Sequence, residues 1–320
     1  MPILAASSFK AAIDAYILNL QVRRFSKQSI KGARLIVPRF FAHVATRGVK
    51  DVASITEEHV VSWAKLLKAA KTKKGALLTA QTQRSYLTTL VRFFRFMAKR
   101  GEILIDPTLD LDMPQVQKLP KLILSEAQAK KLCETPSPYT PVGKRDRAIL
   151  ETLYGTGLRL SECARLELGD IDLQRGAVFV TLGKGRKDRI VPLTEKAKVA
   201  LDLYLREGRV ALAKRSRGTA LFLGSSGGRA LPSSSIQRIV WLHATAACLP
   251  PITTHTLRHT YATHLVRGGA SIRHVQKLLG HAALSSTAIY TRVFPKDLEN
   301  ALLKAHPRQA AYNRPRRKRP

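Results

Sequence analysis

The chain is expected to be mainly α-helical with one small antiparallel β-sheet, arranged in two domains. Three observations predict this. Apolar residues recur at three- and four-residue steps through most of the chain, the mark of helices packed on a core. Only VFVTLGKGRKDRIVPL (178–193) reads as a pair of short strands about a glycine turn, GKGRKD. And DPTLDLDMPQVQKLP (106–120), with three prolines and no period, separates two stretches of different texture. At 320 residues the chain is long enough for two separate cores.

In order, residues 1–112 predict a helical domain with helices over 9–20, 28–45, 57–70 and 80–99. Ile13, Tyr16, Ile17 and Leu20 share one face of the first. Loops fall at Arg47-Gly48 and Lys73-Lys74-Gly75, and Thr56 and Thr79 stand where N-caps belong. Residues 113–123 form the linker. The second domain, 124–306, opens on a helix capped by Ser125, and RDRAILETLYGTG gives another that ends at glycines. After the strand pair come helices over 195–213, 233–247, 255–267 and 271–279. TRVFPKDLENALLKAH (291–306) is helical through Val293, Leu298, Leu302 and Leu303. Residues 307–320 lack an apolar period and read as a disordered basic tail.

Charge points to the partner. Fifty-five Lys and Arg against 22 Asp and Glu give a formal net charge of +33. Residues 1–112 carry +11 of it and the remainder +22, so both domains are expected to meet a polyanion. No basic amphipathic helix or lipidation signal organises the charge for a membrane. Double-stranded DNA is the stronger reading. The basic run KAAKTKKG (68–75) fits a phosphate contact as well as a solvated loop. No apolar run is long enough to span a bilayer, and the start lacks a signal-peptide pattern, so a cytoplasmic location is expected. Cys133, Cys163 and Cys248 are scattered and odd in number, as reduced thiols are.

The densest chemistry is HTLRHTYATH (255–264). His255 and His259 lie four apart, as in helical zinc sites, but Thr256 stands where a zinc protease needs its glutamate. Arg258 between the rings would repel a dication, so no metal is expected. His259 and His264 read as scaffold, needing only a hydrogen-bond partner each, and His243 and His274 have no partner motif. Further clusters accompany this one: GTGLRLSE (155–162), LGKGRKDR (182–189) and LLGHAALSSTAIYTR (278–292).

Together, YGTGLRLSE, GKGRKDR, HTLRHTYATHLVRGGASIRHVQKLLGH and TAIYTRV resemble the signature of the tyrosine recombinases of the phage-integrase type. Each motif is weak alone; four in this order are specific. The basic helical first domain is similar to that family's core-binding module, so the resemblance spans nearly the whole chain. The spacing of 23 residues from Arg258 to His281, and of 9 from His281 to Tyr290, is similar to that of bacterial Xer-like members. The short interval from Lys184 to His255 leaves little room for the extra helix of integron integrases.

The resemblance implies a two-domain recombinase architecture and places the active-site arginines at Arg159 and Arg258. It places the hairpin lysine at Lys184, further site histidines at His255 and His281, a supporting acid at Glu162 and the nucleophile at Tyr290. The residue types suit phosphodiester chemistry. Two guanidiniums clamp non-bridging oxygens with paired charge-assisted hydrogen bonds, with His281 as a further donor. Such a clamp can stand in for a metal ion. A phenol, ordinarily of pKa about 10, must lose its proton as it attacks, and imidazole titrates near working pH, so His255 is the expected base. Lys184 is the expected acid for the 5′-hydroxyl. The 3′-phosphotyrosine product conserves the bond energy, so no cofactor is expected.

Recombination joins two duplexes with four cuts, so the resemblance implies a homotetramer on DNA, with or without a related second recombinase. Residues 291–306 are expected to dock into a neighbouring protomer, the alternative being packing on their own domain. Taken singly, Lys184 also fits a solvated turn and Tyr290 a core position. Two rival functions stand: strand relaxation like that of type IB topoisomerases, and DNA binding without chemistry on the same scaffold.

Overall fold

The computed structural model of the chain describes residues 8–72, 74–116, 122–181, 188–214, 218–225, 227–280 and 296–309. The chain divides into two compact units, Met1–Leu119 and Pro120–Pro320.

The first unit holds α1 (Phe9–Val22), α2 (Lys27–Ala45), α3 (Glu57–Ala69) and α4 (Ala80–Lys99). Polar side chains start them: the hydroxyl of Ser26 accepts the Ser29 N–H at 3.1 Å, and that of Thr79 accepts the Thr82 N–H at 3.2 Å. At α3 the cap works in reverse, with Nδ1 of His59 accepting the Thr56 N–H at 3.1 Å. Each helix turns an apolar stripe inward. The aromatic centre pairs Phe40 edge-on with Phe94 (centroids 5.7 Å apart) and Phe41 edge-on with Phe93 (5.4 Å). Such contacts add about 0.5–1.5 kcal/mol each beyond area burial.

The second unit begins with α5 (Glu126–Glu134), α6 (Pro141–Thr156) and α7 (Leu160–Cys163). Every residue of α6 from Ala148 to Thr156 is buried, which makes it the central pillar. Next is a sheet of β1 (Ile171–Asp172), β2 (Ala177–Val180) and β3 (Arg189–Pro192), antiparallel in that order. Val178 lies opposite Val191, and Val180 opposite Arg189. Pro192 falls on the edge strand, where a missing N–H is tolerated. The sequence predicts two strands here; β1 is the third, and two residues are too short to show an alternating pattern.

Then follow α8 (Glu195–Leu203), α9 (Arg209–Ala213), α10 (Ser233–Ala246), α11 (Thr254–Arg267), α12 (Ile272–Leu279) and α13 (Lys296–Ala305). A π-helical turn, Tyr204–Gly208, joins α8 to α9, where the sequence predicts one helix over 195–213. The buried Tyr204 hydroxyl donates to the Leu221 carbonyl and accepts the Leu223 N–H, both at 3.1 Å. Helix α6 packs against α5, α8 and α11. No helix among the described residues is long and apolar enough to cross a membrane.

Two features mark the C-terminal end. Leu302 and Ala305 of α13 are buried in the core of their own unit, against α11, α12 and β3, so in the single chain this helix packs in cis. The reading of 307–320 as a disordered tail does not hold for residues 307–309, which are helical, with Arg308 and Gln309 buried; residues 310–320 lie outside the described residues. The buried carboxylate of Glu151 and the exposed one of Glu134 hold Arg308, and the amide oxygen of Gln309 accepts the Glu195 N–H at 2.9 Å.

Candidate active site

The site grows from the end of α6. Gly157 closes that helix in the left-handed region at φ +63°, and a Cβ there would meet the Tyr261 ring at 2.4 Å. Only glycine meets both conditions, and the turn aims the Gly157 carbonyl at α11. Two residues on, Arg159 is the N-cap of α7. Its backbone N–H donates to Oε2 of Glu162 at 2.8 Å, and its Nη1 to Oε1 at 2.9 Å. Its side chain remains 34% exposed while that of Glu162 is buried.

Glu162 has a second partner that the sequence reading did not place in the site. Arg189, the first residue of β3, donates from Nη1 and Nη2 to Oε1 and Oε2 at 3.1 and 2.9 Å. Burial works to raise the Glu162 carboxyl, but the bonds from Arg189 and Arg159 outweigh it and hold the pKa down to about 2. Arg189 was legible in one respect. Strand alternation puts it on the same side as the buried Val191, an unusual place for a charge.

Arg258 lies on α11, itself buried. Nη1 donates to the Gly157 carbonyl at 2.6 Å and Nη2 to the Leu279 carbonyl at 2.7 Å. Burial, helped by the charge of Arg159, lowers its pKa to about 10, which leaves it protonated at neutral pH. Nη2 of Arg159 approaches the Gly280 carbonyl at 3.4 Å, and Nε of Arg189 donates to the Leu278 carbonyl at 3.1 Å. Three arginines from three elements thus meet three successive carbonyls at the end of α12. Helix C-termini favour cations.

His255 sits one turn before Arg258 on α11 and is exposed, its ring 5.9 Å from that of His259. The three-residue spacing puts His255 and Arg258 on neighbouring positions of one helix face. His264 is scaffold: buried, with Nδ1 2.8 Å from the Tyr154 hydroxyl. His243 also has a structural partner, Asp146 Oδ2 at 3.0 Å from its Nε2. Tyr261 is fully buried, and burial pushes its phenol up, the opposite of what a nucleophile needs. Lys184, His281 and Tyr290 lie outside the described residues. The structure therefore brings Arg159, Glu162 and Arg258 together, with His255 beside Arg258.

Residues 123–297 match the family described as the phage integrase family. The tyrosine recombinase XerC of Oceanobacillus iheyensis is 38% identical over 300 residues, 92% of this chain and 96% of its own. XerD of Pseudomonas putida is 42% identical over 224 residues, 70% of this chain and 74% of its own. Among solved structures, the Tn1549 transposon integrase in complex with a circular intermediate DNA aligns with a TM-score of 0.64 at 21% identity, covering 85% of this chain and 91% of that one. A lambda integrase dimer bound to a COC′ core site aligns at 0.60 and 18% identity, over 87% and 93%. The chain belongs to the phage integrase family, and it is a tyrosine-type site-specific DNA recombinase.

Proposed function

We propose that the arginine cluster activates one phosphodiester of a duplex DNA site for attack by Tyr290. The carrying observation is that Arg159 and Arg258 converge on the carbonyls of Leu279 and Gly280 while Arg159 keeps an accessible side chain. Two guanidiniums held this way complement charge growing on non-bridging oxygens. Their hydrogen bonds to the protein are in place before substrate arrives, so little reorganisation is left for the reaction. His255, on the same helix, takes the phenolic proton; His281 adds a donor; Lys184 protonates the departing 5′-hydroxyl. The Tyr290 oxygen bonds to phosphorus as the P–O5′ bond breaks, leaving a 3′-phosphotyrosine. A 5′-hydroxyl from the other duplex then reverses the step, and the strand is rejoined without loss of bond energy.

Four protomers on two duplexes supply the four cuts, with the helical unit of residues 1–112 and the catalytic unit of 124–306 both on DNA in the cytoplasm. The formal charge of +33 supports that reading, and binding is expected to weaken steeply with salt. Topoisomerase-like relaxation and binding without chemistry are not favoured, because the relatives named above are recombinases over most of the chain.

The test is covalent trapping. Wild type and Tyr290→Phe are incubated with pooled nicked fragments of the host replicon and run on denaturing gels. A protein–DNA adduct from the wild type alone is expected. An adduct that survives the Tyr290→Phe change overturns the assignment.

A further inference from the structure

Glu162 is a saturated carboxylate. Oε1 accepts Nη1 of Arg159 and Nη1 of Arg189, and Oε2 accepts the Arg159 backbone N–H and Nη2 of Arg189. An ionised carboxylate offers about four lone-pair sites, so these bonds fill it. Half of them come from Arg189. The same guanidinium holds the Leu278 carbonyl through Nε, its side chain only 10% exposed. It also lies close against Gly280, where φ is +63° and a Cβ would meet Nη1, Cδ and Cζ of Arg189 at 3.0–3.1 Å.

We propose that Arg189 is a positioning residue for DNA cleavage: by occupying half of Glu162 and fixing the end of α12, it keeps Arg159 from folding back onto the carboxylate. The inference rests on the functional reading above. With Arg189 gone, two acceptor sites on a buried carboxylate fall empty, and Arg159, already bonded to it through Nη1, carries further N–H groups that can turn to fill them. Those are the groups that must face the phosphate. A carboxylate shared by two arginines orients one toward substrate only while the other is present. Lysine cannot replace it, since one ammonium does not span two carboxylate oxygens and the Leu278 carbonyl in the fixed fork of a guanidinium.

The experiment compares wild type, Arg189→Lys, Arg189→Gln, Glu162→Gln and the Arg189→Gln/Glu162→Gln double variant. Single-turnover adduct formation on a nicked suicide fragment is measured, with binding to the same fragment by mobility shift. Loss of an orienting residue typically costs about 10- to 100-fold, and that slowing is expected for both Arg189 variants with affinity unchanged. If Arg189 acts through Glu162, the double variant is no slower than the slower single one. A lysine variant as fast as wild type, or losses that multiply in the double variant, overturns the proposal. Should Arg189→Gln fail to fold, Arg189→Lys, which keeps the charge and most of the stem, decides the matter. A wild type that yields no adduct on any fragment overturns the functional reading and this inference together. A wild type that cleaves beside an undiminished Arg189→Lys overturns this one alone.

Discussion

Arg308 donates to both carboxylate oxygens of Glu151, 157 positions earlier in the chain, and reaches Glu134 with Nη1 at 3.1 Å. The pair is sealed: the side chains of Arg308 and Glu151 are 5% and 1% exposed. Burial alone would lower the Arg308 pKa, but the bond to Glu151 overrides it and the net shift is upward. Arg308 is thereby tied to α6, the central helix of the second unit.

Removing one partner of such a pair strands the other's charge in the interior. Arg308→Ala and Glu151→Gln are each expected to destabilise by about 3–5 kcal/mol. Urea unfolding of full-length variants gives the number. A change under about 1 kcal/mol, the value of an exposed pair, would show the contact is solvated.

Next to it, His306 sits between Tyr154 and Tyr261, its ring tilted against both, centroids 4.8 and 5.4 Å away. Nε2 donates to the Tyr154 carbonyl and Nδ1 accepts the Arg308 N–H, both at 3.2 Å, which fixes one neutral tautomer. Burial lowers its pKa from 6.5 to about 3. Between those values only the unfolded chain takes up the proton, so the contribution is complete above 6.5 and lost as pH falls toward 3. By about pH 5 roughly 2 kcal/mol should be gone from this group. His264, also lowered by burial, adds in the same direction. Urea midpoints at pH 7 and about pH 5 should differ less for His306→Phe than for wild type.

Arg258→Lys keeps a positive charge but cannot bridge the Gly157 and Leu279 carbonyls. Cleavage is expected to fall by about 10²–10³-fold. Single-turnover trapping on the nicked fragment measures it, with mobility shift to show that binding persists. Cleavage within threefold of wild type would mean charge suffices and geometry does not, against the usual cost of about 10²-fold for a lost oriented donor.

Gly157→Ala meets both a positive φ and the Tyr261 ring. A loss of about 1–3 kcal/mol is expected, since the backbone strain and the overpacking act together. Because the Gly157 carbonyl holds Arg258, cleavage should slow more than stability alone accounts for. Equal cleavage at a temperature where both proteins are folded would separate the turn from the clamp.

The helices were legible because period and caps agree: Thr79 and Ser125 start α4 and α5 as their positions imply. Arg159 and Glu162 were singled out only through the family resemblance, and their pairing across three residues is seen in the structure. Arg189 was not placed, because its partner lies 27 residues away and no local rule links a strand end to a helix start. Arg308 was missed for the same reason in stronger form. Beside Arg314, Arg316 and Arg317 it looks like one more basic tail residue, and only the fold supplies Glu151.

The three carbonyls of residues 278–280 are each claimed by an arginine made much earlier in the chain. A protein emerging from the ribosome holds Arg159, Arg189 and Arg258 before it holds the helix end on which they meet. No fragment that stops short of residue 280 can assemble the cluster, and local melting of α12 takes it apart. An enzyme that cuts DNA is in this way disarmed by default, its cutting power issued only with the finished fold.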